Sequence, residues 1–138
     1  MDLTDLAQIL AGANGFFLHF VAAVVLTILF ACCYVWITPY AEFQLIKAGK
    51  TAPAIAFSAA ILGFALALAG VIANSVSLLD MLVWSGFTLF MQMLVFLGFR
   101  LLFVDLCRRI TDDELGPALV LASFSLTSGI LIAACMTV

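Results

Sequence analysis

The sequence predicts an all-α, polytopic membrane protein, with four transmembrane helices arranged as two helix–loop–helix repeats. Three observations carry that expectation. Hydrophobic residues are 67% and charged residues 9% of the 138, with a mean hydropathy of +1.32; so apolar a chain leaves a soluble domain too little polar surface. Four apolar runs, each of about 20 residues or more, take up most of the length, and about 20 apolar residues suffice to cross a hydrocarbon core. All five lysines and arginines fall in the gaps, or at the end of a run, on one side. The runs are apolar on every face, which favours helices over barrel strands with their alternating pattern.

Residues 1–14 come first. Leu3, Leu6, Ile9 and Leu10 share one helical face, with Asp2, Asp5 and Gln8 turned away. A short interfacial helix is expected there, stopping near Gly12–Gly15. Two aspartates and no basic n-region argue against a secretory signal peptide, so the first span is expected to act as an uncleaved anchor. That span covers 15–38 and holds the single histidine, His19. The second covers 53–73 and carries no charge. A loop over 74–80 leads to the third, 81–103, which is uncharged as far as Arg100. The fourth covers 117–138 and is again uncharged. The first repeat is then 15–73 and the second 81–138.

Orientation follows from the basic residues. Lys47 and Lys50 lie between the first two spans; Arg100, Arg108 and Arg109 lie at and after the end of the third. The positive-inside rule makes both basic loops cytoplasmic and both termini periplasmic. The net charge of −3 does not bear on this, because the rule counts Lys and Arg. Within the first loop, Tyr40–Ala52, Phe43 and Ile46 are expected to share a face while Glu42, Gln44 and Lys47 meet water, with Gly49 as terminator. In the second loop, Val104–Gly116, Thr111-Asp112-Asp113-Glu114 has the form of a capping box. Pro117 would then bend the helix; alternatively, the helix starts at Gly116-Pro117.

Each loop ends in a proline followed by a ladder of small residues. Ala59, Gly63 and Ala67 form one; Ser125, Gly129 and Ala133 form the other. Lipid tails are as apolar as leucine, so helices in a bilayer attract each other through close packing, and small-xxx-small spacing permits it. The second and fourth spans are therefore expected side by side, with Ser123, Ser125 and Thr127 finding partners between them. Phe16, Phe17, Phe20 and Phe30 of the first span, and Phe87, Phe90, Phe96 and Phe99 of the third, are suited to facing lipid or a neighbouring protomer. Tyr34, Trp36, Tyr40 and Trp84 lie near span ends, where amphipathic rings settle at headgroups.

The landmarks resemble the YjfL family of inner-membrane proteins, known as domain of unknown function 350, over nearly all of residues 15–138. The matching stretches are Ile37-Thr38-Pro39-Tyr40-Ala41-Glu42-Phe43-Gln44-Leu45-Ile46-Lys47, Ala56-Phe57-Ser58 with Leu62-Gly63, and Ala73-Asn74-Ser75-Val76-Ser77. They continue with Gln92-Met93-Leu94-Val95-Phe96 ahead of Arg100-Leu101, and end with Ala133-Ala134-Cys135-Met136-Thr137. Where such proteins have Asn-Thr-Ala-Ala opening the even-numbered helices, this chain has Lys50-Thr51-Ala52-Pro53 and Leu115-Gly116-Pro117-Ala118. The resemblance implies a bacterial inner membrane, four spans and an internal duplication, and no established activity.

No motif names a chemistry. There is no H-E-x-x-H, G-x-S-x-G or phosphate loop, and no His beside a serine with an orienting acid, so an enzyme is not expected. Cys32, Cys33, Cys107 and Cys135 show no metal spacing and are expected as small packing residues, with neither metal nor cofactor. The candidate polar or ligand residues are His19, Ser58, Asn74, Ser75, Ser77 and Gln92. The candidate docking residues on the cytoplasmic side are Glu42, Lys47, Arg100, Asp105, Arg108 and Arg109. A scaffold or accessory subunit that associates with itself and docks a cytoplasmic or membrane partner is expected. The alternative is a subunit of an oligomeric channel or transporter. The lipid bilayer is the expected environment, and no nucleic acid is expected.

Overall fold

A computed structural model of the chain describes residues 2–38, 41–103 and 105–138. Its helices are α1 (Leu3–Ile37), α2 (Glu42–Lys47), α3 (Thr51–Asn74), α4 (Leu78–Leu102), α5 (Leu106–Thr111) and α6 (Leu115–Cys135), and no strand occurs among the described residues. α1, α3, α4 and α6 are long and apolar enough to cross a membrane. α2 and α5 are short helices of six residues each at the end of the bundle that carries all the lysines and arginines, the basic end.

α1 does not stop at Gly12–Gly15. It begins at Leu3, where the Asp2 N–H donates to the Asp5 carboxylate at 3.2 Å, and continues unbroken for 35 residues. No separate interfacial helix forms among the described residues of the expected 1–14 segment. A lone glycine weakens a helix by about 1 kcal/mol against alanine but removes no hydrogen bond, as proline would.

The two loops at the basic end close in the same way. After α2, Gly49 N–H donates to Ile46 C=O and Lys50 N–H to Leu45 C=O, both at 3.0 Å. After α5, Asp113 N–H donates to Ile110 C=O and Glu114 N–H to Arg109 C=O, again at 3.0 Å. Such paired bonds need a left-handed residue, and Gly49 (φ 83°) and Asp113 (φ 61°) supply it. Pro53 and Pro117 each take the third helical position, where an N–H would have no intrahelical acceptor. Pro117 thus belongs to a helix start and not to a bend. The expected capping box does not form, because Thr111 Oγ1 donates to Cys107 C=O at 2.8 Å. Asp113 instead reaches the other half of the chain, where its Oδ1 accepts from Ala52 N–H, in the first turn of α3, at 2.8 Å.

α3 and α6 meet through their backbones. A Cβ placed on Gly129 would stand 2.9 Å from the Gly63 Cα, and one on Gly70 would stand 2.6 Å from the Ala133 Cα. Ala59, Gly63 and Ala67 are buried on α3, and Ser125 and Gly129 on α6. Ser123 and Thr127 are exposed, against expectation. Two residues along a helix is about 200° of rotation, so both point away from the seam that Ser125 enters. Ser123 satisfies its hydroxyl on its own Leu119 C=O at 2.9 Å.

The phenylalanines divide. Phe16, Phe17, Phe20, Phe87 and Phe90 are exposed, whereas Phe30, Phe96 and Phe99 are buried, contrary to the expectation that all of them face outward. The Gly/Ala seam is thin, and bulk from the flanking helices fills the space beside it. Phe30 stacks on Phe64 with centroids 4.5 Å apart. Tyr34 packs against Phe96 at 5.1 Å and Phe57 at 5.7 Å, so it lies in the core and not at the headgroups. Trp36 and Trp84 are exposed; Tyr40 lies outside the described residues. In α2, Gln44 and Lys47 are exposed as expected and Ile46 is half-buried, but Glu42 and Phe43 exchange places. Glu42 is 1% exposed, whereas Phe43 is 57% exposed with its ring edge against Phe57. At the membrane surface the outside is headgroup and acyl chain as well as water, so an aromatic ring can face it.

The seam predicts a contrast between glycines. Gly63→Ala or Gly129→Ala drives a methyl into backbone and should cost about 1–3 kcal/mol, lowering the melting midpoint in detergent. Gly86→Ala enters open space and should leave the midpoint level or raised. Asp113→Gly keeps the left-handed turn but deletes the cap and should cost about 1 kcal/mol in the same assay, whereas Asp113→Asn, which still accepts and tolerates φ above zero, should cost less.

Candidate functional site

In a bilayer interior, a buried polar side chain must find its partner inside the protein. α4 carries three such residues on one face, Ser85, Thr88 and Gln92, all buried. Ser128 Oγ of α6 lies 3.0 Å from Gln92 Oε1 and 2.9 Å from Ser125 C=O. One hydroxyl has one proton, which serves one of these acceptors. Donation to Ser125 C=O lets the Gln92 amide turn over and donate from its nitrogen to Ser128 Oγ. In either orientation one end of the amide has no hydrogen-bond partner among the described residues, and the Ser85 hydroxyl has none. Polar contacts of this kind between spans contribute about 0.6–2 kcal/mol and fix the rotation of α4 against α6.

Beside this contact α4 and α6 part around a cavity of about 650 Å³, whose walls include Trp84, Phe87, Thr88, Met91, Ser128 and Val138. Its lining is largely apolar, and Trp84, Thr88, Ser128 and Cys135 are the lining residues that carry a polar side-chain atom. It is suited to acyl chain or to an apolar side chain, and holds no nucleophile–base pair.

At the basic end, Leu106, Ile110 and Glu42 are buried, so α5 and α2 are anchored to the bundle. Lys47, Arg100, Asp105, Arg108 and Arg109 are exposed. Arg109 Nε meets Glu114 Oε2 at 2.6 Å with both side chains about half exposed, a pair that contributes about 0–1 kcal/mol. Burial pushes the Cys107 thiol up from its ordinary range; Arg100 pulls part of the way back and Glu42 adds to the rise. The thiol is therefore protonated at neutral pH and a poor nucleophile. All four cysteines are free.

The other candidates are spread through the molecule and do not converge. His19 Nδ1 lies 2.8 Å from the Gly15 C=O one turn back, a bond that its own helix supplies. Ser58 is exposed on α3. Asn74 Nδ2 donates to Gly70 C=O at 2.8 Å and Ser75 Oγ to Val71 C=O at 2.5 Å, finishing α3. Ser77 Oγ accepts from Asp80 N–H at 3.2 Å and opens α4. The missed residues are Ser85 and Thr88 on the buried polar face of α4, Gly70, which extends the first ladder, and Asp113. Gly70 was within reach of sequence, lying seven residues beyond Gly63 on the same face. Asp113 was not, since its partner is 61 residues away.

Two comparisons bear on the chain. The profile described as Domain of Unknown Function (DUF350) matches residues 5–136. The UPF0719 inner membrane protein YjfL of Escherichia coli strain K12 is 37% identical over 130 residues, covering 94% of this chain and 98% of the relative. Its counterpart in Escherichia coli O157:H7 gives the same figures. No solved structure matches the chain significantly.

The thiol yields a pH prediction. In a variant retaining Cys107 as its sole cysteine, the alkylation rate should rise with pH only above the range of a free thiol, because the thiolate forms later. Glu42→Gln should bring that rise to lower pH and Arg100→Gln should delay it, as read by iodoacetamide labelling followed by mass spectrometry.

Proposed function

Because the chain belongs to the DUF350 family, whose YjfL relatives are inner-membrane proteins, we propose that it is a non-enzymatic scaffold or accessory subunit of that membrane. In this reading it associates with itself and docks a partner through α2, α5 and their flanking residues. The observation that carries this is the anchoring of the two loops. Buried Leu106, Ile110 and Glu42 and the Asp113–Ala52 bond hold them in one shape, while Lys47, Arg100, Asp105, Arg108 and Arg109 stay exposed. Charges on a pre-ordered surface dock a partner with less loss of side-chain and loop entropy than charges on a floppy loop.

The docking surface is cytoplasmic in this proposal and both termini are periplasmic, as the positive-inside rule requires. The matching loop closures at Gly49 and Asp113 and the prolines at equivalent helical positions support a duplicated helix–loop–helix unit. A second reading, a subunit of an oligomeric channel or transporter, draws on the partly unpaired Gln92 amide within the spans. Such a pathway needs several chains, since the centre of one chain is filled by the backbone contact of α3 with α6.

Two measurements test the proposal. A reporter fused after Val138 should be active only when it functions in the periplasm. Affinity purification should recover a stoichiometric partner that is lost when Arg108 and Arg109 are both changed to Gln. Ion flux in liposomes of the purified chain, with no partner recovered, would favour the channel reading instead.

A further inference from the structure

α1 is too long for the membrane. At about 1.5 Å per residue its 35 residues span about 52 Å, against a hydrocarbon core of about 30 Å. Its inner part is seated on the bundle through Phe30 and Tyr34, the only residues of α1 that are buried. Every residue from Leu3 to Asn14 is exposed, and Leu3, Leu6, Ile9 and Leu10 are among them. An isolated apolar helix beyond the lipid is not stable bare.

The exposed stripe has the spacing of a coiled coil. Leu3, Leu6, Leu10, Ala13, Phe17, Phe20 and Val24 alternate steps of three and four, the a and d positions of successive heptads. Within residues 3–24 the e and g positions beside them are Ala7, Ile9, Asn14, Phe16, Val21 and Ala23, none of them charged, and Asp2 holds the g position just before Leu3. Asp5 and Gln8 fall at the outer c and f positions. The same series runs on through Thr27 and Ala31 to Tyr34, where it meets the bundle. A straight helix drifts about 20° per heptad against a seven-residue repeat, so over the four heptads from Tyr34 to Leu6 the stripe turns about 80° off that side. The outer stripe is therefore aimed away from the chain's own α3 and α4.

We propose that residues 3–24 of α1 pair in parallel with the same segment of a second copy, as a short coiled coil that emerges from the membrane. This rests on the reading of the protein as self-associating and says where the association lies. A second copy presents the same stripe at the same height and, in the same membrane, in the same direction. In a parallel pair the g-position Asp2 faces the uncharged e-position Ala7 of the other copy, and no other e or g residue is charged, so identical helices bring no like charges together there. An anionic lipid surface is a poor competitor, because the segment holds Asp5, follows directly on Asp2, and has no lysine or arginine.

The test uses the full chain in membranes, with Cys32, Cys33, Cys107 and Cys135 replaced by alanine and single cysteines introduced along the outer segment. Copper–phenanthroline oxidation should give a dimer band for Leu6→Cys, Leu10→Cys and Ala13→Cys, and lose it for Asp5→Cys, Gln8→Cys and Gly12→Cys. All six sites are exposed, so folding is not the variable. Native mass spectrometry of the unmodified chain reports self-association independently. Oligomers without the periodic pattern overturn the pairing but leave self-association standing; cross-links absent at every site, or equal at all six, also overturn it. Failure to recover a cytoplasmic partner affects only the scaffold reading.

Discussion

The contact between the Gly63 and Gly129 backbones is the constraint on which the other helices depend. Inside a bilayer no water is released when helices meet, so attraction must come from the number of atoms brought within van der Waals range. Glycine against glycine gives the closest approach two helices can make, and it draws α3 and α6 so near that no large side chain fits between them. The rings of Phe30, Phe64 and Phe96 then pack beside that thin seam, with Tyr34 among them. The placement of α1 and α4 is thus a consequence of where α3 and α6 have no side chains.

Much of this could be read from the chain, and the failures have physical causes. Four spans were readable because crossing a membrane requires length and apolarity alone, and both are one-dimensional properties. The small ladders were readable because residues four apart share a helix face. The division of the phenylalanines was not readable. In a soluble helix, polarity marks the outer face; here lipid and core are equally apolar, so Phe20 and Phe30 look alike until their neighbours are known. Glu42 misled for a related reason: a charge was assigned to the outside, where the outside is in part lipid. Ser123 and Thr127 failed on rotation alone, since they lie two residues from Ser125 on either side.

The polar candidates give the same lesson at smaller scale. His19, Asn74 and Ser75 hydrogen-bond to carbonyls within their own helix or at its end, and sequence alone made them as interesting as Gln92. What separates Gln92 is its position between two spans, with Ser128 across from it. That pairing joins residues 36 apart and has no local signature. The exposed basic residues, in contrast, lie in and beside the two loops at one end of the bundle, because no interior site accepts a cluster of arginines.

The bond from Asp113 to Ala52 has a consequence for how the molecule is made. A ribosome delivers α1, α2 and α3 well before residue 113, so the Ala52 N–H in the first turn of α3 waits for this acceptor until the second loop has been made. The second loop thus ties itself to the opening of the first half's second span, so the two halves are joined at the basic end by a hydrogen bond as well as along the glycine seam.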